Sequence, residues 1–146
     1  MTLYLDASAL VKRYVRERGT DDVDALMTAA AAVATALVSR AEVAAALARA
    51  VRGRVLGADA GQRARRKFLR DWPDLARVPV TEALAARADS LAWSHGLRGY
   101  DAVQLAAALT WQEAVGSDVV LATFDRELWR AAATAGVETW PESLGA

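Results

Sequence analysis

The sequence predicts a single α/β domain over residues 1–146, with a central, mostly parallel β-sheet flanked by helices on both faces. Three observations predict it. Short apolar or β-branched runs alternate with longer stretches of helical periodicity, in the order β-αα-β-ααβ-αα-β-α-β, and strands separated by helices pair in parallel. The chain has 146 residues, 54% hydrophobic and 25% charged, which is the size and composition of one globular core. No linker, internal repeat or low-complexity segment divides it.

The elements follow in order. Leu3-Tyr4-Leu5 is a short apolar strand that ends at Asp6. Ser8 to Arg18 has helical spacing, with Leu10, Val11, Tyr14 and Val15 on one face, and Gly19 ends it. Thr20 opens a second helix whose first turn holds Asp21 and Asp22, where the helix dipole favours acids. Val33 to Val38 is β-branched and apolar, a second strand. Ser39-Arg40-Ala41-Glu42 opens a third helix with the spacing of a capping box. A basic helix runs from about Ala58 to Trp72, and Pro73 helps to stop it. Arg77 to Val80 is a short strand. Thr81 caps a helix over Glu82 to His95, closed by Gly96. Another helix runs from about Tyr100 to Val115. Asp118 to Thr123 is the clearest strand, Asp125 to Ala135 is helical, and Val137 to Trp140 is the last strand.

Composition excludes several chemistries. There is no cysteine, so disulfide scaffolds, thiolate zinc sites, iron–sulfur clusters and cysteine nucleophiles are out. One histidine, His95, leaves no paired-imidazole mechanism. Neither a G-x-S-x-G elbow, a Walker A loop nor a GxGxxG turn is present. The N-terminus meets a charge at Asp6, too early for a signal peptide, and the apolar run Ala29 to Val38 is too short to span a bilayer. A cytoplasmic protein without a membrane segment is the expectation. The chemical material that remains is carboxylate, guanidinium and hydroxyl.

Open parallel sheets bind ligands at the carboxyl ends of their strands. Asp6 ends the first strand and Asp125 follows the strand that ends at Thr123. Glu42 lies in the first turn after the second strand. Asp101 opens a helix and extends backwards its apolar stripe of Leu105, Ala108 and Leu109. Each has a structural reading as a helix cap or a first-turn acid. Together they are costly, because converging carboxylates repel and raise one another's pKa. A hard divalent cation such as Mg²⁺ or Mn²⁺ resolves the repulsion. Such a site activates water for phosphodiester hydrolysis.

Four motifs in chain order carry a resemblance. Asp6-Ala7-Ser8-Ala9-Leu10 follows a hydrophobic strand. Ser39-x-x-Glu42-x-x-x-Ala46-Leu47, Asp101-Ala102-x-x-Leu105-Ala106-x-Ala108 and Thr123-x-Asp125-x-x-Leu128 come after it. Their order and spacing resemble those of PIN-domain ribonucleases, in particular the VapC toxins of toxin–antitoxin modules, from Leu3 to about Trp140. The resemblance implies a PIN-like fold and a Mg²⁺- or Mn²⁺-dependent endoribonuclease. It implies Asp6, Glu42, Asp101 and Asp125 as catalytic and metal-binding acids, with Ser8 and Thr123 supporting them by hydrogen bonds. It also implies an RNA substrate, a VapB-like antitoxin and a toxin homodimer. Asp118 competes with Asp125 for the fourth place. Asp125 is preferred because it lies within Thr-x-Asp, whereas Asp118 starts its strand.

The bases are unevenly spread. From Arg49 to Arg77 there are nine, against Asp59, Asp71 and Asp74. Arg63, Arg66 and Arg70 share a helical face that is either an ordinary solvated surface or a contact for RNA backbone, and Arg98, just ahead of Asp101, is placed for either a phosphate contact or a surface salt bridge. The tryptophans read mostly as core, with one at an interface, and His95 as a helix C-terminus rather than a catalyst. Rival readings are a catalytically silent PIN fold that binds RNA or protein, and a PIN RNA-processing nuclease without an antitoxin. An aspartate phosphatase needs a second acid two residues after Asp6, where Ser8 stands. A phosphorylated receiver domain needs a paired acidic motif and a lysine near the site, and neither is evident.

Overall fold

The computed structural model describes residues 1–145. Five strands form one sheet: β1 (Thr2–Leu5), β2 (Ala32–Ala36), β3 (Ala76–Val78), β4 (Val119–Ala122) and β5 (Glu138–Trp140). The spatial order is β3-β2-β1-β4-β5 and every pairing is parallel, where the sequence suggested mostly parallel. Every connection carries at least one helix and so returns the chain to the same edge.

The helices are α1 (Ala7–Leu10), α2 (Thr20–Ala29), α3 (Ser39–Arg52), α4 (Ala58–Asp71), α5 (Glu82–His95), α6 (Gly99–Val115) and α7 (Arg126–Thr134). They form two layers. On one face, Leu3 and Leu5 of β1 meet Leu10, Val23, Val43, Leu47 and Phe68 from α1 to α4. On the other, Tyr4 and Leu121 meet α5, α6 and α7 through Leu84, Leu105, Ala106 and Leu128. Alternation along β1 sends Leu3 and Leu5 to one layer and Tyr4 to the other, and all three are fully buried. No helix among the described residues is long and apolar enough to cross a membrane.

Two expectations are corrected. The first helix does not reach Arg18. It gives way to a 3₁₀ turn at Val11–Arg13 and then to a loop. The side chain of Thr20 organises that loop: its Oγ1 donates to Lys12 O at 2.8 Å and accepts from Glu17 N at 3.0 Å. Tyr14 and Val15 stay buried without being helical. Ser39 and Glu42 do not form a capping box. Val38 occupies the N-cap with a helical backbone and makes no side-chain cap, while Ser39 is drawn fully inside. Trp93 is the exposed tryptophan, 90% accessible on α5, while Trp72 is buried and Trp111, Trp129 and Trp140 are partly buried. Thr81, by contrast, caps α5 by accepting from Leu84 N at 3.1 Å, and Gly96 closes it with φ +65°, a conformation that favours glycine.

Candidate active site

The chain runs from β1 to β2 on one side, while β4 lies on the other. The order of the sheet therefore reverses between β1 and β4, and a crevice opens beyond their carboxyl ends. Asp6, Glu42, Asp101 and Asp125 all line the cavity there, which is about 720 Å³. The four acids come from four separate segments of the chain. Asp118 precedes β4 at the opposite edge and is exposed, so the fourth motif contributes Asp125 to the crevice.

Asp6 is the most constrained. Its backbone N–H extends the ladder to Ala122 O at 3.2 Å, and its side chain caps α1 by accepting from Ala9 N at 3.0 Å. Ser8 Oγ lies 2.7 Å from Asp6 Oδ1, and Thr123 Oγ1 donates to Oδ2 at 2.7 Å. Those two hydroxyls are themselves fixed from the turn after β4: Phe124 N donates to Ser8 Oγ and Asp125 N to Thr123 Oγ1, both at 3.0 Å. Asp125 caps α7 by accepting from Leu128 N at 2.9 Å. Asp6 and Asp125 are therefore helix caps that also line the crevice.

Glu42 is held by a residue that sequence reasoning missed. Gln104 sits in the buried stripe of α6. Its Oε1 accepts from Tyr4 Oη at 2.6 Å, and its Nε2 donates to Ser39 Oγ at 2.9 Å and to Glu42 Oε1 at 2.8 Å. Thr35 Oγ1 lies 2.7 Å from both Ser39 Oγ and Leu5 O, so the network is tied back to β1. A buried amide has donors and acceptors to satisfy, and this one spends them on orienting an acid.

The electrostatics are those of crowded carboxylates. Burial lifts the Asp6 carboxyl from an ordinary 3.8 to about 6, against the opposing hydrogen bonds of Thr123, Ala9 and Ser8, and the charge of Glu42 adds to the rise. Glu42 is raised by burial, opposed by the Gln104 hydrogen bond and reinforced by Asp101. Asp101 is raised by burial and by Asp125. Arg98 relieves part of the repulsion: its Nε lies 3.3 Å from Asp101 Oδ2 and its Nη2 3.0 Å from Asp125 Oδ2. The Arg98 side chain is 80% exposed, so the contact is solvent-screened. Of the two readings the sequence left open for Arg98, a phosphate contact or a surface salt bridge, the structure shows the salt bridge.

No three His, Cys, Asp or Glu side chains among the described residues gather into a ready-made metal cage. The donor set nevertheless fits a hard cation. It is all oxygen, it carries excess negative charge, and Mg²⁺ needs only one or two protein carboxylates because it keeps several waters. The cavity's basic residues are Lys12 and Arg49, and Tyr100 and Phe124 are its aromatics. Arg63, Arg66 and Arg70 lie on the exposed face of α4 and do not line it. His95 ends α5 and is also outside it.

An all-parallel sheet that gathers carboxylates at its switch point defines an α/β domain with an acidic crevice. The sequence matches the PIN domain over residues 3–134, and the chain belongs to the PIN-domain family. It is 37% identical over 143 residues to Ribonuclease VapC45 of Mycobacterium tuberculosis (strain CDC 1551 / Oshkosh), covering 97% of this chain and 96% of that protein. Ribonuclease VapC49 of Mycobacterium tuberculosis (strain ATCC 25618 / H37Rv) is similar to the same extent, 37% over 143 residues with 97% and 96% covered. Two solved structures share the fold. FitAcB from Neisseria gonorrhoeae superposes with a TM-score of 0.65 at 18% identity, covering 94% of this chain and 96% of that one. Mycobacterium tuberculosis VapC20, described as a Sarcin-Ricin loop cleaving toxin, gives 0.66 at 18% identity, with 93% and 96% covered.

Proposed function

We propose that this chain is an endoribonuclease that hydrolyses RNA phosphodiesters with Mg²⁺ or Mn²⁺, and that it is the toxin of a VapBC-type toxin–antitoxin pair. One observation carries the reading: the fold brings Asp6, Glu42, Asp101 and Asp125 from distant segments to one cavity at the switch point. The two relatives at 37% identity, both named ribonucleases, support RNA as the substrate. A fold neighbour described as a toxin–antitoxin complex from Klebsiella pneumoniae supports the partner class, a VapB-like antitoxin, and the toxin is expected to pair with a second copy of itself.

Asp6, Glu42, Asp101 and Asp125 would hold the metal. When bound, it would supply Lewis acidity and a water of lowered pKa. The chain's own residues set the geometry. Ser8, Thr123 and the Ala9 amide fix the Asp6 carboxylate in one rotamer. Gln104 aims Glu42. Lys12 and Arg49 place positive charge on the cavity wall, where a phosphodiester approaching four acids needs it.

The direct test is cleavage of several RNA classes by purified, antitoxin-free protein. Cutting is expected with Mg²⁺ or Mn²⁺, none in EDTA, recovery on adding metal back, and none in Asp101→Asn. Cutting that persists in EDTA removes the metal role. A folded protein that binds metal but cuts no RNA favours the silent-module reading.

Arg98 yields a second expectation. A divalent cation entering between Asp101 and Asp125 must displace a guanidinium whose exposed ion pairs are weak because solvent screens them. Arg98→Gln is expected to bind Mn²⁺ about two- to fivefold more tightly by calorimetry. Arg130→Gln, the same charge loss further along α7 beside Glu127, is expected to leave the affinity unchanged. Equal affinities in the Arg98 variant and the unsubstituted protein contradict the displacement.

A further inference from the structure

Two cavities lie side by side on the carboxyl edge of the sheet and share a wall. The first holds the four acids. The second, about 550 Å³, is bordered by Arg18, Asp22, Arg126 and Pro141, and Lys12 and Phe124 line both. The shared wall is held by local contacts. Lys12 Nζ stands 4.4 Å from the centre of the Phe124 ring and is anchored by Glu17 Oε1 at 3.2 Å and Arg18 O at 2.9 Å. Gly19 lies beneath it with φ +97°, and a Cβ there would come within 3.2 Å of both Lys12 Cδ and Phe124 Cζ. The ridge can sit this low only over glycine.

The charge of this second cleft differs from that of the first. Arg18 and Arg126 are exposed on its walls, and among the described residues neither pairs with a carboxylate. Asp22 is the acid on its lining. Elsewhere the guanidinium groups of Arg13, Arg16, Arg87, Arg98 and Arg130 are all engaged with acids. Arg63, Arg66 and Arg70 border neither cavity, and the groove where α3 meets α4, which carries Arg52 and Arg65 beside an otherwise mostly apolar lining, is not continuous with the acids: it shares no lining residue with their cavity.

We infer that the cleft between Arg18 and Arg126 carries the unpaired RNA strand on one side of the scissile phosphodiester. On this geometry the strand crosses the Lys12–Phe124 ridge, and its next phosphates meet Arg18 and Arg126. A cleft of this volume takes a nucleotide or two of single strand, and such contacts read backbone charge rather than sequence. The acids need this arrangement: a polyanion laid over four carboxylates is held only if cations flank the point of cutting. The inference rests on the ribonuclease reading and names the surface the substrate uses.

The test is fluorescence anisotropy of a labelled, mixed-sequence single-stranded RNA bound by the full chain in EDTA, across a salt series. Three proteins are compared: unsubstituted, Arg18→Glu/Arg126→Glu, and Arg63→Glu/Arg66→Glu/Arg70→Glu. The cleft variant is expected to bind at least about tenfold more weakly, and its plot of log affinity against log salt to flatten by about 1.4, two phosphate contacts on a single strand. The neutral pair Arg18→Gln/Arg126→Gln is expected to show the same flattening, which separates lost contacts from misfolding. The α4 variant is expected to match the unsubstituted protein. Undiminished binding in the cleft variants, a larger loss in the α4 variant, or no RNA binding by the unsubstituted protein overturns the inference. So does loss of antitoxin binding alone, which would make the cleft a protein site. Cleavage by the unsubstituted protein with Mn²⁺ is scored separately, so the ribonuclease reading stands or falls on its own result.

Discussion

Asp6→Asn is expected to lose RNA cleavage by at least about 10³-fold, since a metal's charge stabilisation is worth several kcal/mol, and to make the metal-free protein more stable. The two effects have one cause. Asp6 is 3% exposed and titrates at about 6 instead of 3.8, so a carboxylate is held where a neutral group is preferred. The sign follows from proton counting. Between the unfolded and folded pKa values the native state binds more protons than the unfolded chain, so stability falls as pH rises from about 4 to about 6. Above that the whole penalty stands, at most about 3 kcal/mol. Asparagine keeps an acceptor for Ala9 N and offers donors to the Ser8 and Thr123 hydroxyls. The variant should therefore melt about 5 °C higher than the unsubstituted protein at pH 8 in EDTA. The gap should close towards pH 4, and Mn²⁺ should raise the melting temperature of the unsubstituted protein only. A gap that is absent at pH 8, or constant across pH, contradicts the strained-carboxylate account.

The fold was legible because each strand is a short apolar run and each helix has its own period and punctuation. Thr81 and Gly96 are local signals, and they bound α5 where they stand. The four acids were legible for a related reason: a strand end or the first turn of a helix is a position that sequence can locate, and four such positions in motif order narrow the choice. What stayed hidden depends on long-range pairing. Gln104 sits within an apolar stripe and its partner Tyr4 lies 100 residues away, so nothing local marks it. Ser39 and Glu42 have capping-box spacing, but Gln104 on α6 draws both side chains inward. The basic run on α4 attracts attention because its arginines are neighbours in sequence. Arg18 and Arg126, which face one cleft, are brought together only by the β1–β4 pairing.

Gln104→Leu is the substitution that separates folding from positioning. Leucine fits an α6 stripe made of Leu105, Ala108 and Leu109, so packing alone predicts tolerance. The hydrogen bonds predict otherwise. Tyr4 Oη, fully buried, loses its acceptor, and a buried polar group left unpaired costs about 1–3 kcal/mol. Glu42 loses the donor that fixes Oε1, which by analogy with outer-shell partners of metal ligands lowers activity about 10- to 100-fold. Adding Tyr4→Phe removes the orphaned hydroxyl. Deleting both partners of a hydrogen bond is far cheaper than deleting one, so the double variant should recover most of the lost melting temperature. It should recover none of the activity or Mn²⁺ affinity, because Glu42 still lacks its donor. If activity returns together with stability, Gln104 serves only the core. If stability returns and activity does not, the buried amide is what aims Glu42 into the cavity.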